Sequence, residues 1–450
     1  MSRYDHYPEN VGILALEMYF PSRCVEQTAM EVYDGVSTGK YTIGLGQDKM
    51  AFIDDREDIQ SICLTAVHNL MEKYNIAYTD IGRLEVGTET IIDKSKSVKT
   101  TLMTLFAEHG NYEIEGIDTT NACYGGFSAF SNAVNWIESS SWDGRYAIVI
   151  AGDLALYASG AARPTSGAGV VAMLVGKDAP IVLERGLRST YMDHAYDFYK
   201  PDMHSEYPIV DGKFSNVCYI RAFDACYNNY MKRLSKTIKK DVTSMEDVDY
   251  VVCHSPYAKL VTKSFARSAY NDFMADKKNP KYAALAPFEE LAYEASLENR
   301  DLEKATATLT KAGYAQKVGP AAYAPKQIGN MYAGAVWAGL ASLVSEVEVD
   351  TLKDKRVLLY SYGSGLAASM VSFRVVGSTA DIKAKLNLRQ RLDARTHSKP
   401  EAFAEAMQIR ENTHNACNYN PIGSLEHIAP GAYYVDKIDD KWRRFYKRKD

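Results

Sequence analysis

Thr119-Thr120-Asn121-Ala122-Cys123-Tyr124-Gly125-Gly126 follows a β-like run over residues 114–117 and precedes an amphipathic pattern in which Phe127, Phe130, Val134 and Ile137 recur every three or four residues. That order predicts a strand, a tight turn and a helix, with Cys123 on the turn. A helix N-terminus favours negative charge, so its first amides should draw the thiol below the ~8.5 of a free cysteine, toward the thiolate that attacks acyl groups. Gly125 and Gly126 leave room for a substrate or another backbone to come close. Taken alone, the turn also fits a small buried hydrophobe.

Outward from this turn, strands and helices alternate. Residues 11–20 read as a first strand, and the apolar face Ile59, Ile62, Cys63, Ala66, Val67, Leu70 and Met71 reads as a helix, with His68 at its edge as a surface or satisfied histidine. Leu84-Glu85-Val86-Gly87 is a short strand entering Thr88-Glu89-Thr90, and residues 146–151 and 170–175 are buried strands. Residues 177–245 are less regular and rich in tyrosine, as an insertion covering a site would be, before a helix over 219–239. A strand at 248–253 ends at His254-Ser255-Pro256; two helices follow within 276–326, and an apolar helix spans 336–344. A strand at 356–360 enters Ser361-Tyr362-Gly363-Ser364-Gly365, which reads as a second strand-to-helix turn and hints at a duplicated unit. The alternation argues for an α/β fold.

At 450 residues the chain is long enough for two domains or one built by duplication, and 46% apolar with 24% charged residues is a globular balance. A net charge of −5 without long runs gives no case for nucleic acid as partner. The seven scattered cysteines, with no CxxC pair, fit a reducing compartment and neither a disulfide framework nor a zinc site. Residues 1–10 carry Arg3, Asp5, His6 and Glu9 and no apolar run, so neither a secretory signal nor a transit peptide is expected there. No stretch has the length of a membrane helix. The expectation is a cytoplasmic protein.

Read together, Cys123, Glu89 in Gly87-Thr88-Glu89-Thr90, His254 in His254-Ser255-Pro256-Tyr257 and Asn330 in Gly329-Asn330-Met331-Tyr332 resemble the 3-hydroxy-3-methylglutaryl-CoA synthase family. Tyr196-Asp197-Phe198-Tyr199-Lys200-Pro201, Ser205-Glu206-Tyr207-Pro208 and the 361–365 turn extend the match over nearly the whole chain. Two small departures, Cys253 before His254 and Ala258 after Tyr257, remove no catalytic group. The resemblance implies a thiolase-like fold of five αβαβα layers from two duplicated halves, with a eukaryotic-type insertion and C-terminal extension. Residues 1–176 would form the half carrying Glu89 and Cys123, and 177–450 the half carrying His254, Asn330 and Ser364. It further implies a homodimer acting on acetyl-CoA and acetoacetyl-CoA, with no metal or cofactor besides the coenzyme A of the substrates.

In the roles that the resemblance implies, Cys123 takes the acetyl group while the backbone N–H groups of Cys123 and Ser364 hold the oxyanion. Glu89 removes a methyl proton, a task that calls for desolvation and a raised pKa. His254 polarises the second substrate's carbonyl, and Asn330 assists it. Tyr157 and Tyr124 shape the acyl pocket. Asp153 and Asp197 either position substrate or cap turns. Lys259 and Lys263, four apart on one helix face, either meet coenzyme A phosphates or form a solvated basic face. A chain-initiating ketoacyl synthase lacks the Glu89 base, a biosynthetic thiolase would have a second cysteine where Ser364 stands, and a non-catalytic CoA-binding homologue would not need the intact set.

Overall fold

Residues Tyr146–Ala155 and Gly167–Gly176 are buried on both faces for all but the first residue of the earlier strand, so the sheet they form must be covered on each side. The computed structural model describes residues 8–450; the first seven residues of the N-terminal stretch read above lie outside it. In chain order the elements that position the site are β1 (Gly12–Tyr19), α1 (Ile59–Tyr74), β2 (Ile81–Gly87), α2 (Val98–Ala107), β3 (Asp118–Thr119), α3 (Gly125–Ile137), β4 (Tyr146–Ala155), β5 (Gly167–Gly176), β6 (Ile181–Leu183), α4 (Gly212–Ile238), β7 (Tyr250–Cys253), α5 (Ala258–Ala275), α6 (Ala335–Glu346), β8 (Arg356–Gly363) and β9 (Ala367–Val375).

The first half pairs its strands in the order β3-β2-β4-β5-β1, with β5 antiparallel to both neighbours. The second half repeats the order as β7-β8-β9-β6, with β9 antiparallel and, among the described residues, no counterpart of the short β3. The two first strands meet at the seam, Gly12 opposite Val182 and Ile13 opposite Ile181. A Cβ on Gly12 would lie 2.0 Å from the Ile181 carbonyl oxygen, so only glycine allows that approach.

Period-two alternation sorts the strand residues into layers. Val149 and Ala151 of β4 pack with α3, α6 and the residues Val357, Leu359, Val371 and Phe373 of the second sheet. Ile148 and Ile150 point the other way, onto α1 and α2. On the far side, Leu358, Tyr360 and Met370 pack against α4 and α5. Five layers result, helix, sheet, helix, sheet, helix, with α3 and α6 in the shared centre.

The structure corrects one reading of the second half. The strand at 356–363 does not turn into a helix at Ser361–Gly365; it reverses into the antiparallel β9, and Gly365 has φ +114° there. The true counterpart of the Cys123 turn precedes α6. In both places the residue three before the helix has a positive φ, Ala122 (+45°) and Tyr332 (+41°), which sets Ala333 in register with Cys123.

The helix expected over 219–239 begins earlier, at Gly212, where the Asp211 side chain caps it by accepting from Phe214 N at 3.0 Å. The C-terminal hairpin, Tyr433–Ile438 with Arg444–Arg448, lies on α1. Tyr433 N donates to Thr65 Oγ1 and Tyr446 Oη to the α1 cap Asp58. His68 is satisfied by Tyr433 and Glu72. Among the described residues no helix is long and apolar enough to cross a membrane.

The Phe130 ring on α3 is fully buried, 4.9 Å from Trp337 of α6 and 5.7 Å from Phe373 of β9 between centroids. Phe130→Ala should therefore cost about 3–5 kcal/mol in denaturant unfolding. Hydrogen exchange should quicken in α3, α6 and β9 together; an effect confined to α3 would show that the central layer is not shared.

Candidate active site

Cys123 is delivered by the edge of the first sheet. Leu84 N donates to Glu115 O, Val86 N to Ile117 O and Thr88 N to Thr119 O, which zips the chain alongside β2 up to the turn. Tyr124 N then closes on Asn121 O at 3.0 Å, and α3 starts. Two other backbones press against this turn. A Cβ on Gly126 would stand 2.4 Å from Ala333 O, and one on Gly363 would stand 2.4 Å from both Asn121 O and Tyr124 N. Asn121 Nδ2 also donates to Ser364 O at 3.3 Å. The structure thus brings Cys123 together with the Ser364 turn and with the loop that follows Asn330.

The Cys123 side chain, 8% exposed, packs with Ala155, Tyr157 and Tyr332, and Phe198 of the insertion closes the cluster. The rings of Tyr157, Phe198 and Tyr332 meet edge to face at 5.5–6.4 Å. Asn330 is fixed among them: its Oδ1 accepts from Tyr332 N at 2.8 Å and its Nδ2 reaches Tyr157 Oη at 3.5 Å.

Glu89 and Asp153 stand side by side. Asp153, fully buried on β4, accepts at Oδ1 from Thr88 Oγ1 (2.6 Å), Glu89 N (2.7 Å), Thr90 N (2.9 Å) and Thr90 Oγ1 (2.8 Å), and at Oδ2 from Ala333 N (2.9 Å). Burial and the neighbouring Glu89 carboxylate push the Asp153 carboxyl upward, against those hydrogen bonds. The Glu89 carboxylate, in turn, accepts from Lys200 Nζ at 2.8 Å. Behind this pair opens a cavity of about 280 Å³, lined by Glu89, Thr90, Leu154, Lys200, Glu206 and Arg410 among others.

His254 sits at the end of β7, its N–H bonded to Tyr360 O and its carbonyl accepting from Tyr219 Oη at 2.6 Å. The imidazole is 1% exposed, and among the described residues its Nδ1 has no hydrogen-bond partner. Burial drives its pKa down to about 3, so the ring is neutral across the physiological range.

The electrostatics of the thiol reverse the expectation from the helix N-terminus. Burial pushes Cys123 well above an ordinary cysteine, and the Glu89 and Asp153 carboxylates push it further, with Lys200 opposing. Desolvation outweighs the helix amides, and the resting side chain is a thiol.

Other singled-out residues lie apart from this cluster. Asp197 is fully buried but binds the protein itself, accepting from Tyr362 Oη and Gly365 N and so fastening the insertion onto the Ser364 turn. Tyr124 turns away, its hydroxyl on Ser369. Lys259 is exposed; Lys263 is paired with Glu303 at 3.1 Å and lines a second cavity, of about 190 Å³. Lys200 and Tyr332 join the site without having been marked by spacing or chemistry, although both stand inside the words 196–201 and 329–332.

Residues 7–180 match the family described as hydroxymethylglutaryl-coenzyme A synthase N terminal, and residues 181–449 match its C-terminal counterpart. A hydroxymethylglutaryl-CoA synthase of Aspergillus fumigatus is 53% identical over 456 residues, covering 98% of this chain and 99% of its own. The cytoplasmic hydroxymethylglutaryl-CoA synthase of Homo sapiens is 53% identical over 457 residues, covering 98% and 88%. A solved structure, MvaS in complex with 3-hydroxy-3-methylglutaryl coenzyme A, shares the fold at a TM-score of 0.85 and 29% identity, over 98% of this chain and 100% of that one. With both halves matched in order and a thiolase-like fold around Cys123, the chain belongs to the hydroxymethylglutaryl-CoA synthase family.

Proposed function

We propose that this acyltransferase condenses acetyl-CoA with acetoacetyl-CoA and water to give (S)-3-hydroxy-3-methylglutaryl-CoA and CoA, in the mevalonate route to isoprenoids and sterols. The observation that carries the reading is an intact set of Cys123, Glu89 and His254 in a chain matched to the family from residue 7 to residue 449. Cys123 attacks the acetyl thioester, and the thiol proton leaves with the departing CoA sulfur. The N–H groups of Cys123 and Ser364 serve the oxyanion, and the contact between their two turns supports that pairing.

Glu89 then takes a methyl proton from acetyl-Cys123, and the carbanion adds to the C3 carbonyl of acetoacetyl-CoA. A neutral His254 suits the electrophile's part: an imidazole N–H polarises a carbonyl and yields its proton to the alkoxide as it forms. Asn330 and Tyr157 shape the acyl end of the pocket, and Asp153 holds the Glu89 loop in place. Asp197 acts through the Ser364 turn it fastens. Lys259 and Lys263 remain candidates for the coenzyme A phosphates, Lys263 after release from Glu303. Water finally hydrolyses the Cys123 thioester. Each step draws on the chain's own side chains and backbone amides and on water, and coenzyme A enters with the substrates.

Homodimerisation through the free edge beyond β3 is supported by Tyr112 and Ile117 there, 74% and 61% exposed. A cytoplasmic location is supported by the name of the human relative.

Incubation with labelled acetyl-CoA and peptide mapping tests the reading: label should fall on Cys123, and Cys123→Ala should take up none while staying folded. Label on Cys253 instead would overturn the assignment.

His254→Asn should still be acetylated on Cys123 but lose condensation. It should also change acid stability. The folded-state pKa of His254 lies below the ordinary 6.5, so the unfolded chain binds the extra proton and wild type loses stability as pH falls below 6.5. Between pH 6.5 and 4 the wild type should lose up to about 3 kcal/mol more than the variant in denaturant unfolding.

Glu89→Ala should form acetyl-Cys123 yet slow the exchange of its methyl hydrogens with deuterated solvent by about a hundred- to ten-thousandfold. Glu85→Ala should exchange nearly as wild type, because Glu85 is committed to Arg83 and Asn132. Undiminished exchange in Glu89→Ala would move the base elsewhere.

A further inference from the structure

The ion pair between Lys200 and Glu89 has no part in the scheme above. Lys200 follows the short strand Phe198–Tyr199, which pairs with Ile209–Val210 within the insertion. Its ammonium stands 2.8 Å from Glu89 Oε1, 4.5 Å from the centre of the Tyr332 ring and 5.7 Å from that of Phe198. The Glu89 main chain is held separately, by its N–H on Asp153. The orientation of the carboxylate therefore falls to Lys200, and among the described residues only Oε1 is hydrogen-bonded.

The ionisable groups packed closest to Glu89 besides Lys200 are acidic: Asp153 on β4, Cys123 at its turn, and the phenols Tyr157 and Tyr332. Across the cavity behind the pair lie Glu57, Asp58, Asp202 and Glu206 with the cations Lys94, Arg410 and Arg444 and with His204 and His414; Arg410 is engaged by Glu206 and Arg444 by Asp58.

We propose that Lys200 is a positioning residue for the condensation: it holds Glu89 by Oε1, turns Oε2 toward the acetyl methyl group, and leaves its own positive charge beside the enolate. This rests on the reading of Glu89 as the base. In that step a methyl C–H bond breaks, an O–H bond forms at Glu89 Oε2, and the electron pair moves onto the thioester oxygen. Negative charge passes from Glu89 to the enolate while the ammonium stays, so no unpaired charge appears in the buried pocket.

The test uses wild type, Lys200→Met, Lys200→Arg and Lys200→Ala, measuring acetylation of Cys123 by intact mass and methyl exchange into deuterated solvent on the acetyl-enzyme. Lys200→Met should acetylate at close to the wild-type rate while exchange falls by about a hundredfold. Lys200→Arg should keep most of the exchange, and methylammonium should restore part of it to Lys200→Ala. Acetylation and exchange falling in equal proportion in Lys200→Met, with neither the arginine nor methylammonium restoring them, would reduce Lys200 to a structural role and overturn the proposal. Wild-type exchange in Lys200→Met would overturn it as well. If wild type itself carries no acetyl group on Cys123, the reading of the reaction fails first, and the two failures are told apart.

Discussion

A buried carboxylate accepting five hydrogen bonds, that of Asp153, is the constraint on which the site depends. A carboxyl group without access to water is tolerable only when its oxygens find hydrogen-bond partners, and here they find them from both halves of the chain. The Thr88–Thr90 loop supplies four donors and the Ala333 amide the fifth. Holding Asp153 therefore means holding Glu89 and the loop behind Asn330 at fixed places on either side of Cys123. The glycine contacts of Gly126 and Gly363 act in the same direction, since they let three backbones close on one turn.

The pocket so assembled is poor in charge. The thiol is protonated, the imidazole is neutral, and Lys200 answers Glu89. Desolvation is the common cause, and it suits a reaction in which a weak carbon acid must surrender a proton: water would level the strength of base and electrophile alike, whereas fixed dipoles in a dry pocket do not reorganise as charge moves. Reactivity is thus conferred when substrate arrives, not stored as a standing thiolate.

Much of this was legible in the residues. The Cys123 turn, the two buried strands that follow it and the strand ending at His254 announce themselves by apolar runs bounded by small residues. What escaped was non-local. β9, with Ala367, Ala368, Ser369 and Ser372 on an interior strand, has no alternation to read because both its faces are buried. Without β9 the Ser361–Gly365 turn looked like the entry to a helix. The thiol was misjudged because a helix N-terminus is visible in sequence and desolvation is not. Nothing local in the 196–201 word marks Lys200 as facing Glu89, because that contact depends on the insertion folding back over the first half.

The two matched turns, one ending in Cys123 and the other in Ala333, show what became of the repeat. A duplicated fold begins with two equivalent corners facing one interior. Here the first kept a side chain that can carry an acyl group, and the second kept only its amide, spent on Asp153. Division of labour between former equals leaves each chain a single workplace.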